Sequence, residues 1–418
     1  MLPLGGRLRL AAKNGGVINP SEWVYSTILE GYKIPFEVVP VQTFVPQNPL
    51  AEGEAYKILK SEAEELLAKT SIAAVSHELG EFISSYFAVA KPRSPGKFRP
   101  ILNLKSFNQN VKKYTFRMES LGHVRDWLKE GVYCVRIDLE DAFLHVPISK
   151  RFRKFLRFSW LGKLYEWCTL PFGLRCSPRV LTKVLKPVMA FLRSRFGIMI
   201  TIYLDDMLIQ AMSREQALFH GQLAALMLMV LGFSLNWKKS NFVPSQKVIH
   251  LGFELDTVAM LVSCPSSKEE DLRALCQKAK GNKSLTIHQC EQILGKMESV
   301  HPATPQSALF YRPIQKQLLG VKASWGENWR HPGQDILLSP ESLFALDWWT
   351  SPDGFKAHCS SAMRELSPTI EIWTDANLER CGAHSSCGDF FQRLWSPEEI
   401  ESDPHINLLG LGQQRKGC

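Results

Sequence analysis

The sequence predicts an α+β protein, and three observations carry that class. A hairpin signal lies at residues 200–209, where two short β-branched and apolar runs flank Asp205 and Asp206. Further apolar runs of strand length stand at 86–89, 98–102 and 132–139. Amphipathic helical stretches come between and after them. The first covers residues 54–67, where Ala55, Ile58, Leu59, Ala63, Leu66 and Leu67 share one face.

The hairpin tip is unusual. Asn-Gly or Asp-Gly ordinarily supplies the positive φ of a tight turn, whereas Asp-Asp supplies charge. Two carboxylates side by side repel by about 4 kcal/mol at an intermediate dielectric, so this turn is expected to hold cations. The alternative is an Asx-type turn, in which one aspartate bonds its own backbone.

At 418 residues the chain has room for two to four domains, and its 45% apolar content is ordinary for a folded protein. A net charge of +9 suits a polyanionic partner. Ten cysteines with no C-x-x-C pair fit a reducing compartment better than a disulfide framework. Cys381, His384 and Cys387 lack the second half-site that zinc needs. Arg7 and Arg9 stand where a signal peptide requires an apolar core, and no run approaches 18 apolar residues. The expectation is a soluble, intracellular protein with no membrane partner.

Taken in order, residues 1–50 are rich in Pro and Gly and read as a loop-rich extension with one short helix at 23–29. The strand at 86–89 leads into a basic turn carrying Lys91, Arg93, Lys97 and Arg99. Such a turn can fold over phosphates or simply face solvent. The strand at 132–139 brings Asp138 to its end, where a buried carboxylate needs a cation or a donor. At 150–158 Phe partly alternates with Arg and Lys, as in a strand with one face turned to phosphates. Ser177 and Pro178 read as the N-cap and first residue of a helix. Val180, Val184, Val188 and Leu192 form its stripe, and Pro187 is expected to kink it. Capping boxes at Ser213/Gln216 and Thr286/Gln289 open further helices. Residues 248–255 read as one strand, and another at 370–374 precedes Asp375.

An acid closing one strand and an acid pair on a later hairpin form the set that two-metal nucleotidyl transfer requires. Tyr203-Leu204-Asp205-Asp206 resembles the Tyr-x-Asp-Asp box of reverse transcriptases, and the family's other boxes appear in the family's order. Residues 97–104, with Arg99, are similar to its fingers segment. Asp138 and Phe143 match the first metal-binding aspartate and the aromatic gate. Leu170-Pro171-Phe172-Gly173, with Ser177-Pro178, resembles the template and nucleotide-pocket box. Leu235–Lys239 and His250–Phe253 resemble the closing palm box and the primer grip. Finer features look like the DIRS-type retrotransposons: residues 31–36, Leu294-Gly295-Lys296, the Trp348-Trp349 pair, and Trp373–Ala376 opening a ribonuclease H domain.

The resemblance implies a right-hand polymerase. Its parts would be an N-terminal extension (1–50), fingers (51–130), palm with part of the fingers (131–258), thumb (259–340), connection (341–367) and a truncated ribonuclease H-like segment (368–418). It implies an RNA-directed DNA polymerase that extends a primer on an RNA or DNA template with dNTPs. Two Mg²⁺ ions, replaceable by Mn²⁺, would sit on Asp138 and Asp205, with Asp206 auxiliary and the backbone of Leu139 a further contact. Phe143 would stack under the sugar and exclude a 2′-hydroxyl. Arg99 and Lys91 would hold phosphates, and Phe172 and Gly173 would line the nucleotide pocket. Asp375 fits the first ribonuclease H carboxylate, but Gly410 stands where related elements carry a glutamate, and seven residues follow Leu411. The expectation is therefore polymerisation without degradation of hybrid RNA, and a loosely ordered 368–418 segment. The competing reading is a degraded or domesticated chain that keeps the fold and only binds nucleic acid. An RNA-dependent RNA polymerase is disfavoured by the bulk of Phe143.

Overall fold

The computed structural model describes residues 3–91, 96–325, 335–363, 372–376 and 379–396. They fall in two compact units, Met1–Ser361 and Ala362–Cys418.

At the centre of the first unit is a four-stranded antiparallel sheet. Its order is Asn241–Ser245, Tyr133–Asp138, Asp206–Ala211, Met199–Tyr203. The inner strands carry β-branched and long apolar side chains, and Ile137, Ile200, Met207 and Ile209 are fully buried. Two helices back this sheet, Ser177–Phe196 and Arg214–Val230. The first buries the predicted stripe and also Leu181, Leu185 and Met189. Each such aliphatic side chain contributes about 1.5–3 kcal/mol through burial. Its N-cap is Cys176, not Ser177. The Ser177 hydroxyl instead donates to the Pro171 carbonyl (3.0 Å), bracing the loop in front of the helix. Ser213 caps the second helix, accepting from the Gln216 N–H (3.1 Å).

A second sheet runs Ile72–Val75, Lys163–Trp167, Arg157–Trp160, Ile83–Ser84. Here the structure departs from the single strand expected at 150–158. Lys150–Arg153 is a helical turn, and the strand begins only at Arg157. Arg157 is buried, not aimed at solvent or phosphate. It reaches Glu81 (2.6 Å), Glu166 (3.1 Å) and Glu78 (3.2 Å), and such partners are what a buried guanidinium requires. The strand expected at 248–255 is also two, Lys247–His250 and Phe253–Asp256, paired as a hairpin. Leu251 and Gly252 both have positive φ (50° and 77°), which a two-residue type I′ turn demands.

The N-terminal extension holds the expected helix, Glu22–Glu30. Leu4, Leu8 and Val24 join the same core as the central sheet, so this segment is part of the body of the unit. Farther on, helices Ser266–Asn282, Ile287–Glu298, Ser307–Trp325 and Pro340–Thr350 pack on one another. Both halves of the Thr286/Gln289 capping box form, at 2.9 and 3.2 Å. Trp349 is fully buried and donates to the Phe310 carbonyl (3.0 Å), while Trp348 stacks on the Phe310 ring at 4.2 Å. The tryptophan pair is therefore a packing element of this helical layer.

The second unit shows an antiparallel meander, Ile372–Ala376, Arg380–Ser385 and Phe390–Leu394. Asp375 lies opposite Gly382. Residues 397–418, including His405 and Gly410, lie outside the described residues, as do Glu371 and much of the 368–418 segment. Among the described residues no helix is long and apolar enough to cross a membrane.

Candidate active site

The site grows from the tip of the central hairpin. Tyr203 pairs with Asp206, leaving Leu204 and Asp205 as the turn. Leu204 has φ +57°, a left-handed conformation that costs a non-glycine residue about 1–2 kcal/mol. The neighbouring strand helps to hold it there. The Leu139 N–H donates to the Asp205 carbonyl (3.0 Å), and Asp138 stands in register with Asp206. Asp138 is itself fixed at both backbone groups. Its N–H donates to Ser240 Oγ (3.0 Å), and its carbonyl accepts from the Asn236 N–H (2.8 Å). Three acids separated by 67 positions in sequence thus meet at one end of one sheet.

Their electrostatics are costly. Burial holds the Asp138 carboxyl above its usual range, and the charges of Asp205 and Asp206 push the same way, partly offset by Lys239 and Arg136. Burial raises Asp205 too, with Asp206 adding to it. Asp138 Oδ1 is buried without a hydrogen bond, and the nearest cation, Lys239 Nζ, is 3.9 Å away. Asp206 lies near Arg136 Nε (3.5 Å) and His250 Nδ1 (3.3 Å), yet its Oδ1 too is buried without a hydrogen bond.

This donor set fits divalent cations. The oxygens are hard, and an orphaned buried carboxylate oxygen is what a cation would satisfy. Mg²⁺ needs only one or two protein carboxylates when waters and substrate phosphates complete its shell. Among the described residues no three His, Cys, Asp or Glu side chains are drawn closely enough to cage an ion by themselves. An ion held here would need waters and substrate phosphates to complete its shell.

Beside the acids, Phe143 lies on the short helical turn Ala142–His145 and meets Phe172 edge to face, ring centres 5.1 Å apart. Phe172 is 56% exposed, so this aromatic pair has an open side. Gly173 has φ +86°, which an L side chain rarely adopts, and its carbonyl accepts from Asn108 Nδ2 (2.8 Å). Asn108 Oδ1 accepts in turn from the Arg175 N–H (2.9 Å). Helix Lys105–Asn110 therefore pins the 172–175 loop. Lys91 and Arg99 are exposed on the ribbon of Tyr86–Ala90 and Phe98–Leu102, where Arg99 pairs with Val89 and the Lys91 N–H donates to Lys97 (2.8 Å). None of the contacts among the described residues joins that ribbon's cations to the carboxylates. Asp375 lies in the second unit.

Sequence reasoning assigned no role to Arg136 or His145, and it placed Lys239 and His250 in the closing palm box and the primer grip without linking either to the carboxylates. Arg136 had a signal, since it stands two residues before Asp138 on the same face of the strand. His145 had none. It is fully buried, burial lowers its pKa to about 4, and its Nε2 accepts from the Ser234 N–H (2.8 Å). A backbone N–H can only donate, so the imidazole proton sits on Nδ1, facing the Ala142 carbonyl at 3.2 Å.

Residues 89–255 match the family of the reverse transcriptase (RNA-dependent DNA polymerase). The chain is 26% identical over 267 residues to the Gag-Pol polyprotein of bovine immunodeficiency virus (strain R29), covering 62% of this chain and 17% of that protein. It is 24% identical over 321 residues to the Gag-Pro-Pol polyprotein of human T-cell leukemia virus 2, covering 75% and 20%. It therefore spans about a fifth of the length of these relatives. Among solved structures, the foamy viral protease-reverse transcriptase in complex with double-stranded DNA is similar with a TM-score of 0.64 at 16% identity, over 100% of this chain and 86% of that one. The same foamy viral protein with an RNA/DNA hybrid gives 0.58 at 17% identity, over 97% and 54%. Residues 89–255 are similar to the reverse transcriptase family, and the architecture is the right-hand polymerase fold, mixed α+β as expected.

Proposed function

We propose that the chain is an RNA-directed DNA polymerase that extends a primer along an RNA or DNA template with dNTPs. The observation that carries this reading is the meeting of Asp138, Asp205 and Asp206 at the hairpin tip, with Asp138 Oδ1 buried and unbonded. The reverse transcriptase family generally uses divalent metals. Bound Mg²⁺, replaceable by Mn²⁺, would supply activation of the 3′-hydroxyl and neutralisation of the leaving pyrophosphate.

The chain's own residues do the rest. Asp138 and Asp205 would hold the metal ions with help from the Leu139 backbone, with Asp206, beside Arg136 and His250, as the auxiliary carboxylate. Phe143 stacks beneath the sugar with Phe172 at its edge. Gly173 lets the pocket wall approach without a side chain. Lys91 and Arg99, on a ribbon of their own, hold the triphosphate once substrate is present. We assign the chain to the DIRS-type branch on residues 31–36, Leu294-Gly295-Lys296 and Trp373–Ala376.

Purified protein given an annealed DNA primer, an RNA template, dNTPs and Mg²⁺ is expected to make full-length DNA. Tight binding of the same duplex with no nucleotide added would overturn the reading in favour of a chain that only holds nucleic acid. A second expectation concerns the hybrid left behind. Gly410 offers no carboxylate where related elements carry a glutamate, so one anchor that a two-metal hydrolytic site would use beside Asp375 is missing. Labelled RNA in an RNA–DNA hybrid should stay intact with Mg²⁺ or Mn²⁺ over hours, and cleavage that Asp375→Asn abolishes would refute this.

A further inference from the structure

We propose that the N-terminal segment, residues 4–8 with Arg7 at its centre, is a positioning device for the loop that carries Phe143, so that sugar selection depends on it. This rests on the reading of Phe143 as the ring beneath the sugar.

The loop is tied on every flank. Ahead of Phe143, Asp141 takes a left-handed conformation (φ 43°) and its carboxylate pairs with Lys69 Nζ at 2.6 Å. Immediately after it, the Leu144 carbonyl accepts from the Gly6 N–H (2.9 Å). One residue on, His145 accepts from the Ser234 N–H, and Arg7 Nη1 donates to the Ser234 hydroxyl (2.6 Å). Gly5 N–H donates to the Lys69 carbonyl (2.7 Å), so the segment also holds the residue that holds Asp141. A side chain at Gly5 has no room, since a Cβ there would stand 2.5 Å from the Thr70 carbonyl oxygen and 2.6 Å from that of Lys69. Leu4 and Leu8 are buried on either side of these bonds, which fixes the segment as a strut. Phe143 itself is only partly buried, packed against the core and Phe172, while these bonds hold the backbone on either side of it. Displacing a substrate-positioning group by about 1 Å can cost about a hundredfold in rate. Arg7 touches neither the carboxylates nor the aromatic pair and is a positioning residue.

The test uses the full chain and four variants: Arg7→Ala, Ser234→Ala, their double, and Arg7→Lys. Ser234→Ala removes only the acceptor hydroxyl and leaves the backbone N–H that His145 uses. For each, kcat/KM is measured for a dNTP and its matching rNTP on one primer–template, beside hydrogen exchange of the amides at 141–146. Each single variant is expected to lower the dNTP/rNTP ratio by about threefold to tenfold, the scale of the net contribution of one ordinary hydrogen bond. The double should fall no further than either single, because both remove one bond. Arg7→Lys should recover part of the ratio, and amide exchange at Leu144 and Val146 should quicken in both single variants. If Phe143→Val changes the ratio while both singles leave it and the exchange untouched, the strut is wrong and the pocket assignment stands. If Phe143→Val also leaves the ratio unchanged, the pocket assignment fails and the inference falls with it.

Discussion

Asp205→Asn is expected to lower primer extension by about a thousandfold or more while leaving primer–template affinity within about threefold of wild type. The first figure follows from losing roughly 4 kcal/mol of transition-state charge stabilisation, at about 1.4 kcal/mol per decade. The second follows because duplex affinity rests on many exposed Lys and Arg contacts, which salt weakens and one buried aspartate does not control. The same substitution should make the metal-free protein melt at a higher temperature. Burial and the neighbouring Asp206 both disfavour the Asp205 charge, and an amide removes that repulsion with little change of shape. Wild-type protein should gain thermal stability on adding Mg²⁺, by mass action on a folded-state site, and the variant should gain less. A variant that extends primers at the wild-type rate, or that melts earlier without metal, would refute this account of the carboxylates.

Phe143→Val is expected to reduce the preference for dNTPs over rNTPs by about tenfold to two-hundredfold, read as a ratio of kcat/KM. The valine leaves room where a 2′-hydroxyl must fit and takes from Phe172 its edge-to-face partner. Because Phe143 also packs on the core, some loss of thermal stability should accompany the change. The ratio separates the two roles. A lower melting temperature with an unchanged ratio would mark Phe143 as a packing residue.

Much of this was legible in the sequence, for a physical reason. The hairpin at Asp205 and Asp206 announces itself because its apolar arms have to enter a core, leaving the acids as the only charged interruption, although the turn itself is Leu204-Asp205 and Asp206 already belongs to the strand. The strand ending at Asp138 and the helix Ser177–Phe196 are strong signals of the same kind, since one face of each is almost wholly apolar. Partner choice was not legible. Arg157 reads as a phosphate-facing cation until Glu78, Glu81 and Glu166 are brought around it, and no local pattern encodes that meeting. Arg136 and His250 reach Asp206 only through strand register and a hairpin return. The turn at Leu251-Gly252 was readable from its glycine, yet the apolar residues on both sides of it read as one strand. The first fifty residues misled by composition, because Gly and Pro signal loops whether a loop is free or wedged into a core.

That wedged segment also sets an order of events during synthesis. Residues 4–8 are made long before the partners that hold them: Leu144 follows only much later, and Arg7 waits for Ser234, 227 positions downstream. At about 5–20 residues per second that wait lasts roughly 10–45 s. Throughout it Leu4 and Leu8 have no core to enter, and a nascent chain stopped short of residue 234 carries an unfinished nucleotide pocket. The growing polypeptide is therefore exposed to chaperones and proteases until residues 4–8 find a partner made more than two hundred positions later.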